Sequence, residues 1–427
     1  MTEREQESGA SPPSGSWLWE FANSRGLGRR HFLRLLAAGG ATAVLAACAE
    51  MTPSDAMVRP LSPPVDTDPA QVAPWFKDPA PFILRGDKGL EARLEYMQGS
   101  ITPNRLFFVR NNSVSLNLDA TNWRLTVGGD AVSDPLKLTY SEIRSMPCRT
   151  LTSYLECAGN HRAMFNVMNG QETSGTQWMT GAVGNGEWVG AQLRDVLTLA
   201  GIQPDAASVL LVGLDVESPE EGFRYVLPVE KAMHPDTLLA YTLNGETLPK
   251  DHGFPVRALV PGWVGSANVK WLGRIVVSSE QLWTRNNTTS YTLIGDEYPP
   301  RGESLGRPVT EQVIKSALAL PWPAELPAGR QRIHGYAHSP SGPISQVEWS
   351  VDSGRTWNQA ALSGSQPDHA WARFEFEWDA EPGEHTIMTR ATDAAGNSQP
   401  DRVPFNEKGY LFNQPVAHPV RVRKSTA

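Results

Sequence analysis

Cys157 closes the strand-like run TLTSYLEC and opens the polar loop AGNHR. A side chain at such a junction is held by a rigid element yet faces a loop, a frequent place for function. A lone cysteine there has two readings. It is a small buried hydrophobe, or it is a soft thiolate whose ionisation His161 and Arg162 would favour, suited to a heavy transition metal. Zinc is disfavoured, because no second Cys or His stands at ligand spacing. The other candidates are cationic. Arg110 ends the aromatic run LFFVRNN, KDHGFPVR places His252 and Arg257 around a Gly-Phe-Pro turn, and NVKWLGR adds Lys270 and Arg274. Singly, each reads as a solvated charge or a strand-end contact. Together, in loops after apolar strands, they would make a cationic basin for an anion in a chain of net charge −8.

The elements that must carry these groups fall into two parts. From about 82 to 305 the pattern is mixed, with strand-like runs at 105–110, 123–127, 150–157 and 208–214. GAQLRDVLTLAG is an amphipathic helix with Leu193, Val196, Leu197 and Ala200 on one face and Gly201 as its stop. Thr139 and Glu142 have capping-box spacing and predict a second, short helix. Strands and helices without a regular βαβ beat indicate an α+β domain. Residues 306–427 have an all-β texture. VEWSV alternates into the turn Asp352-Ser353-Gly354, and RFEFEW alternates apolar and charged positions as a half-buried antiparallel strand does. That spacing predicts an immunoglobulin-like sandwich without the antibody-type disulfide, serving docking or dimerisation.

Composition bounds the rest. The 427 residues are 40% hydrophobic and 20% charged, which excludes wholesale disorder. Charges occur without long like-sign runs, arguing against a nucleic-acid partner, and 34 prolines with 37 glycines argue against a coiled coil. Three cysteines, Cys48, Cys148 and Cys157, cannot build a disulfide framework. GRRHFLRLL, with Arg29 and Arg30 ahead of an uncharged run ending at Ala47, has the form of a twin-arginine export signal over residues 1–47. Leu45-Ala46-Ala47-Cys48 fits a lipobox, which would tether the protein to a membrane surface through lipidated Cys48. The expected location is periplasmic or extracytoplasmic. The proline-rich stretch 48–81 reads as an extended linker.

LFFVRNN, LECAGNHR, the block DHGFPVRALVPGWVGSANVKWLGR and VEWSVDSGRTW, in this order and spacing, resemble the sulfite oxidase family of molybdenum enzymes. The resemblance runs from about residue 82 almost to the C-terminus. It implies a sulfite-oxidase-type molybdopterin-binding domain over 82–305, a dimerisation domain over 306–427, a homodimer, and a molybdenum-molybdopterin cofactor. Carried over position by position, Cys157 would be the thiolate bonded to the metal, Arg110 would line the sulfite site, and Tyr291 would stand beside the metal's oxo groups. Phe108, Val109, Arg110, Asn111, Asp215, His252, Arg257, Asn268, Val269 and Lys270 would cradle the pterin and its phosphate. Two positions depart from the family pattern: Asn112 stands where His is common, and His161 where Arg is common. The implied activity is oxidation of sulfite to sulfate by oxygen-atom transfer. No CxxCH haem motif is present and the cysteines are too few for an iron–sulfur cluster, so an external acceptor, a c-type cytochrome, is expected. Two competing readings are an exported molybdopterin reductase of a sulfoxide or other oxyanion, and a non-enzymatic surface-anchored binding lipoprotein.

Overall fold

The structure, a computed structural model, describes residues 72–364 and 366–424. Arg29, Arg30 and Cys48, which carry the export and anchor readings, lie outside the described residues.

The first part is built on two sheets. One runs Arg224–Pro228, Ser208–Gly213, Leu272–Ser278, Arg124–Gly128, Leu136–Thr139, and only its Leu272–Ser278/Arg124–Gly128 pair is parallel. The other runs Glu246–Thr247, Leu238–Leu243, Val183–Gln192, Cys148–Glu156, with Arg257–Leu259 also paired to Leu238–Leu243. A shared core that includes Trp123, Leu125, Val209, Leu239, Tyr241 and Ile275 draws side chains from both sheets. Full burial of such a side chain contributes roughly 1.5–3 kcal/mol. The expected helix is Leu193–Leu199, and its apolar stripe is buried in that core. Gly201 follows at φ 66°, where an added Cβ would lie 2.1 Å from Ser133 Oγ, so glycine is required on both counts. The Thr139–Glu142 capping box starts the helix Tyr140–Arg144.

The second part has a four-stranded sheet (Lys315–Leu318, Gly329–His338, Ala372–Ala380, Ala361–Ser363). Facing it is a five-stranded one (Ala324–Pro327, His418–Arg423, Gly383–Asp393, Ile344–Ser350, Asn358–Gln359). Their inner faces share a core of Ile333, Val347, Phe374, Phe376, Ile387 and Val420. RFEFEW alternates as expected. Phe374, Phe376 and Trp378 are buried, while Glu375 and Glu377 pair outward with Arg332 and Arg330.

Two expectations change. The run 105–110 is not one strand. Asn104–Leu106 is a 3₁₀ turn after Pro103, and only Val109–Arg110 pairs, with Gly89–Leu90. Leu106, Phe107, Phe108 and Val109 are all buried, so the run lacks the alternation that a two-faced strand needs. Residues 72–81 are not a free linker. Val72–Ala73 pairs antiparallel with Ser115–Leu116, and the Phe76 and Lys77 amides donate to Asp251 at 2.9–3.0 Å. The C-terminal part also docks on the first, which does not change the reading. Val403, Phe412 and Val416 pack on Met164 and Phe165, and Tyr410 packs with Ala158, Val264 and Leu293 of the first part.

Candidate active site

The nine-residue strand Cys148–Glu156 delivers Cys157 to the edge of a cleft. The Cys157 amide donates to Ala182 O (2.9 Å), and its carbonyl accepts from Asn160 N (2.9 Å), which turns the chain. Cys157 is a free, buried thiol. Gly265 lies against it, where a Cβ would come 2.9 Å from Glu156 O and 3.4 Å from Cys157 Cα. Of the residues that the family resemblance assigns to the metal, substrate and cofactor, all but Val109 line this one cleft; Val109 is buried in its short strand behind Arg110.

The cationic wall comes from the segment after Leu238–Leu243. His252 ends the 3₁₀ turn Lys250–His252. Gly253 follows at φ 103°, pressed so close to Lys270 that a Cβ would meet its side chain at 2.9 Å. Arg257 opens the next strand. It donates to His252 O (3.0 Å) and Asn268 O (2.8 Å), and its guanidinium lies 5.3 Å from the Trp188 ring centroid. Asn268 is locked by accepting from Val260 N and donating to Val264 O. Lys270 Nζ donates to Asp251 O (2.9 Å) and to Asn111 Oδ1. Asp215 accepts from Ser113, Ser218 and the Phe223 amide, so its carboxylate is already occupied with holding its own loop.

Burial dominates the electrostatics of this wall. Burial lowers Arg257 to about 9. It holds Lys270 well below the usual lysine range, with the Arg257 charge adding to the effect and Asp251 and Asp215 opposing it without reversing it. Burial also drives His252 well below its ordinary value, helped by Lys77, Lys270 and Arg257. Among the described residues, the hydrogen bonds of Arg257 and Lys270 go to carbonyl and amide oxygens, never to a carboxylate. Buried cations without paired anions are costly unless a ligand supplies the negative charge. Ser266 Oγ, in the same wall, is buried with no partner. A phosphate-bearing cofactor fits these residues: it would pair the cations and satisfy the hydroxyl.

Arg110 and Tyr291 form the side nearer solvent, bridged by Asn112. Arg110 Nη2 reaches Asn112 Oδ1 at 3.4 Å, and Asn112 Nδ2 reaches the Tyr291 hydroxyl at 3.5 Å. Tyr291 stacks on Tyr410 with ring centroids 5.6 Å apart, and the Arg162 guanidinium sits 4.8 Å from the Tyr410 centroid. Arg162 donates to Lys408 O (2.6 Å) and Thr176 O (2.8 Å), which ties the Cys157 loop to the C-terminal segment.

Two sequence expectations fail here. His161 does not lend Cys157 a positive charge. It is buried at φ 70°, and burial, with Lys315 and His338 adding, holds it neutral well below its ordinary value. Arg274 is exposed on its strand and does not line the cleft, because Ile275 and Val277 take the inward positions. Conversely, Lys77, Tyr410 and Lys315 come close to the site from remote stretches of sequence, and no motif marks them.

Residues 111–285 match the family described as the oxidoreductase molybdopterin binding domain, and residues 307–424 match the Mo-co oxidoreductase dimerisation domain. The mitochondrial sulfite oxidase of Rattus norvegicus is 35% identical over 391 residues, covering 85% of this chain and 69% of the rat protein. The chain belongs to the sulfite oxidase family. The sulfite oxidase of Arabidopsis thaliana is 34% identical over 344 residues, covering 73% of this chain and 86% of its own. Among solved structures, the sulfane dehydrogenase SoxCD of Paracoccus pantotrophus superposes with a TM-score of 0.69 at 28% identity, over 78% of this chain and 86% of that one. As a member of the sulfite oxidase family the protein is a molybdoenzyme, and its cofactor is molybdenum-molybdopterin.

Proposed function

We propose that this sulfite oxidase family member oxidises sulfite to sulfate and passes the electrons to a separate c-type cytochrome. One observation carries the reading: a free thiol, Cys157, shares a single cleft with buried cations that lack anionic partners. His252, Arg257 and Lys270 would hold the phosphate end of the cofactor, with Phe108, Asn111, Asp215, Asn268 and Val269 shaping its bed and Val109 backing it. Cys157 would be the thiolate ligand. Bound there, molybdenum would supply an electrophilic oxygen and accept two electrons. The chain's own work is to place and neutralise a small oxyanion. Arg110 would bind its negative oxygens, since a charged donor in a partly desolvated cleft acts more strongly than in water. Tyr291, stacked on Tyr410, would hold its hydroxyl in place to donate to an oxygen and take part in proton transfer.

Around this centre, the second part would be an immunoglobulin-like dimerisation sandwich. The twin-arginine signal would export the folded protein, with lipidated Cys48 anchoring it extracytoplasmically. The test is a steady-state assay with cytochrome c as acceptor, run with sulfite and, in parallel, with a sulfane-sulfur donor. Sulfite-dependent reduction supports the reading; reduction with the sulfane donor alone, or only reductase activity toward a sulfoxide, overturns it.

A further inference from the structure

The segment ahead of the matched family domain closes over the cofactor wall from outside. Its backbone is held by the Val72–Ala73 pairing with Ser115–Leu116 and by one carboxylate: Asp251 accepts from the Phe76 and Lys77 amides and from Ser115 Oγ (2.7 Å). Trp75 packs on the core beside Phe107 and Phe108, and Lys77 reaches the wall itself. The Lys77 Nζ has three neighbours in donor range, Asn104 O (2.9 Å), Phe107 O (2.8 Å) and His252 Nε2 (2.7 Å). An ammonium has three N–H bonds and no lone pair, and a carbonyl only accepts. As an ammonium, Lys77 therefore gives two N–H bonds to the carbonyls and the third to His252. A neutral imidazole that accepts at Nε2 carries its proton at Nδ1, and His252 lines the cleft. Burial favours that neutral imidazole.

We infer that Lys77 is a positioning residue for the cofactor's phosphate: from the strap formed by residues 72–81 it fixes His252 as an Nδ1–H donor, so that a bound phosphate ester and the strap hold each other in place. This rests on the molybdopterin reading of the cleft. The coupling is reciprocal: whatever factor the strap adds to cofactor affinity, the cofactor adds to strap closure. Burial lowers Lys77 to about 7 against the opposing charge of Asp251, so an anion in the cleft also favours the ammonium form that this arrangement needs.

Three readouts on the full chain test it. In the loaded enzyme, nitrogen-15 spectra of histidine-labelled protein, assigned by a His252→Asn comparison, should show the Nδ1–H tautomer. Amide hydrogen exchange at Phe76 and Lys77 should be slower in loaded protein than in protein made without the cofactor. Lys77→Met should lose pterin on prolonged dilution roughly tenfold faster or more, the loss of a charge-assisted hydrogen bond, while Lys137→Met, an exposed lysine, should match the parent. An Nε2–H tautomer, equal exchange with and without cofactor, or unchanged pterin retention in Lys77→Met overturns the proposal. The first two readouts stand even if Lys77→Met does not fold. Pterin content of the unmodified protein separates the failures: a chain that never holds pterin overturns the cofactor reading itself.

Discussion

Buried charge lies on both sides of Cys157, and the two sides handle it differently. On the cleft side, Arg257, Lys270 and Lys77 bond to carbonyl and amide oxygens and are lowered by burial. On the far side, Glu156 and Lys315 are almost completely buried and pair at 2.7 Å. Asn160 Nδ2 donates to the same carboxylate (2.9 Å), Gln312 donates to Glu156 O (2.9 Å), and His338 stands 3.6 Å from the second carboxylate oxygen. Lys315 and His338 belong to the second part, and Glu156 immediately precedes Cys157. A set of buried charges that pair with one another within the protein docks one part on the other. An unpaired set is complete only with a ligand. The contrast separates a structural joint from a binding site more sharply than charge or burial alone.

Breaking the joint should give the largest effect. Lys315→Met leaves Glu156 buried without its partner and should destabilise the chain by about 3–5 kcal/mol. Glu156→Gln with Lys315→Met removes both charges and should recover a large part of that loss; chemical denaturation of the two variants checks it. If the double variant is no more stable than the single one, the joint is not a charge pair. The substrate side is next. Arg110→Gln should keep its metal but bind sulfite about 10- to 150-fold more weakly, the value of a charged hydrogen bond of roughly 1.5–3 kcal/mol, read as KM against kcat. Tyr410→Phe keeps the stack on Tyr291 and loses one bond to Ser290 O (2.9 Å), so it should cost about 1 kcal/mol of stability.

A further effect separates the two sides by pH. Lys77 titrates near 7 in the folded chain and at 10.5 unfolded. Between those values the unfolded chain binds the proton that the folded chain has lost, so stability without cofactor should rise with pH from about 7 to 9. The slope is at most about 1.4 kcal/mol per pH unit for one proton. A bound anion restores the folded value and should flatten the slope. Thermal melts of loaded and cofactor-free protein across that range check it.

What the sequence disclosed and what it hid follow from the distance between partners along the chain. Cys157 was legible because an apolar run gives way there to a Gly-containing turn, His252 and Arg257 because they flank the Gly-Phe-Pro turn, and Lys270 because it stands in the NVKWLGR run, all local signals. The alternation of RFEFEW likewise announced its own buried face. Lys77 meets His252 across 175 residues, and Lys315 meets Glu156 across 159. No window of periodicity contains such a pair. Proline content made 72–81 read as linker, because the Asp251 carboxylate that fastens it lies as far off as His252. Arg274 was a different kind of miss: the two-residue period of Leu272–Ser278, with Ile275 and Val277 inward, already turned it outward.

The central claim is that Cys157 and the unpaired cations form one site for molybdenum and its pterin. The most direct measurement is the molybdenum and pterin content of the purified protein beside that of Cys157→Ser, with sulfite turnover per chain. A hydroxyl is a harder and poorly ionised ligand than a thiolate. The expected result is about one molybdenum and one pterin per chain in the parent, and in Cys157→Ser retained pterin with sulfite turnover abolished. A parent that holds neither molybdenum nor pterin, or a Cys157→Ser variant that turns over sulfite like the parent, would contradict the account.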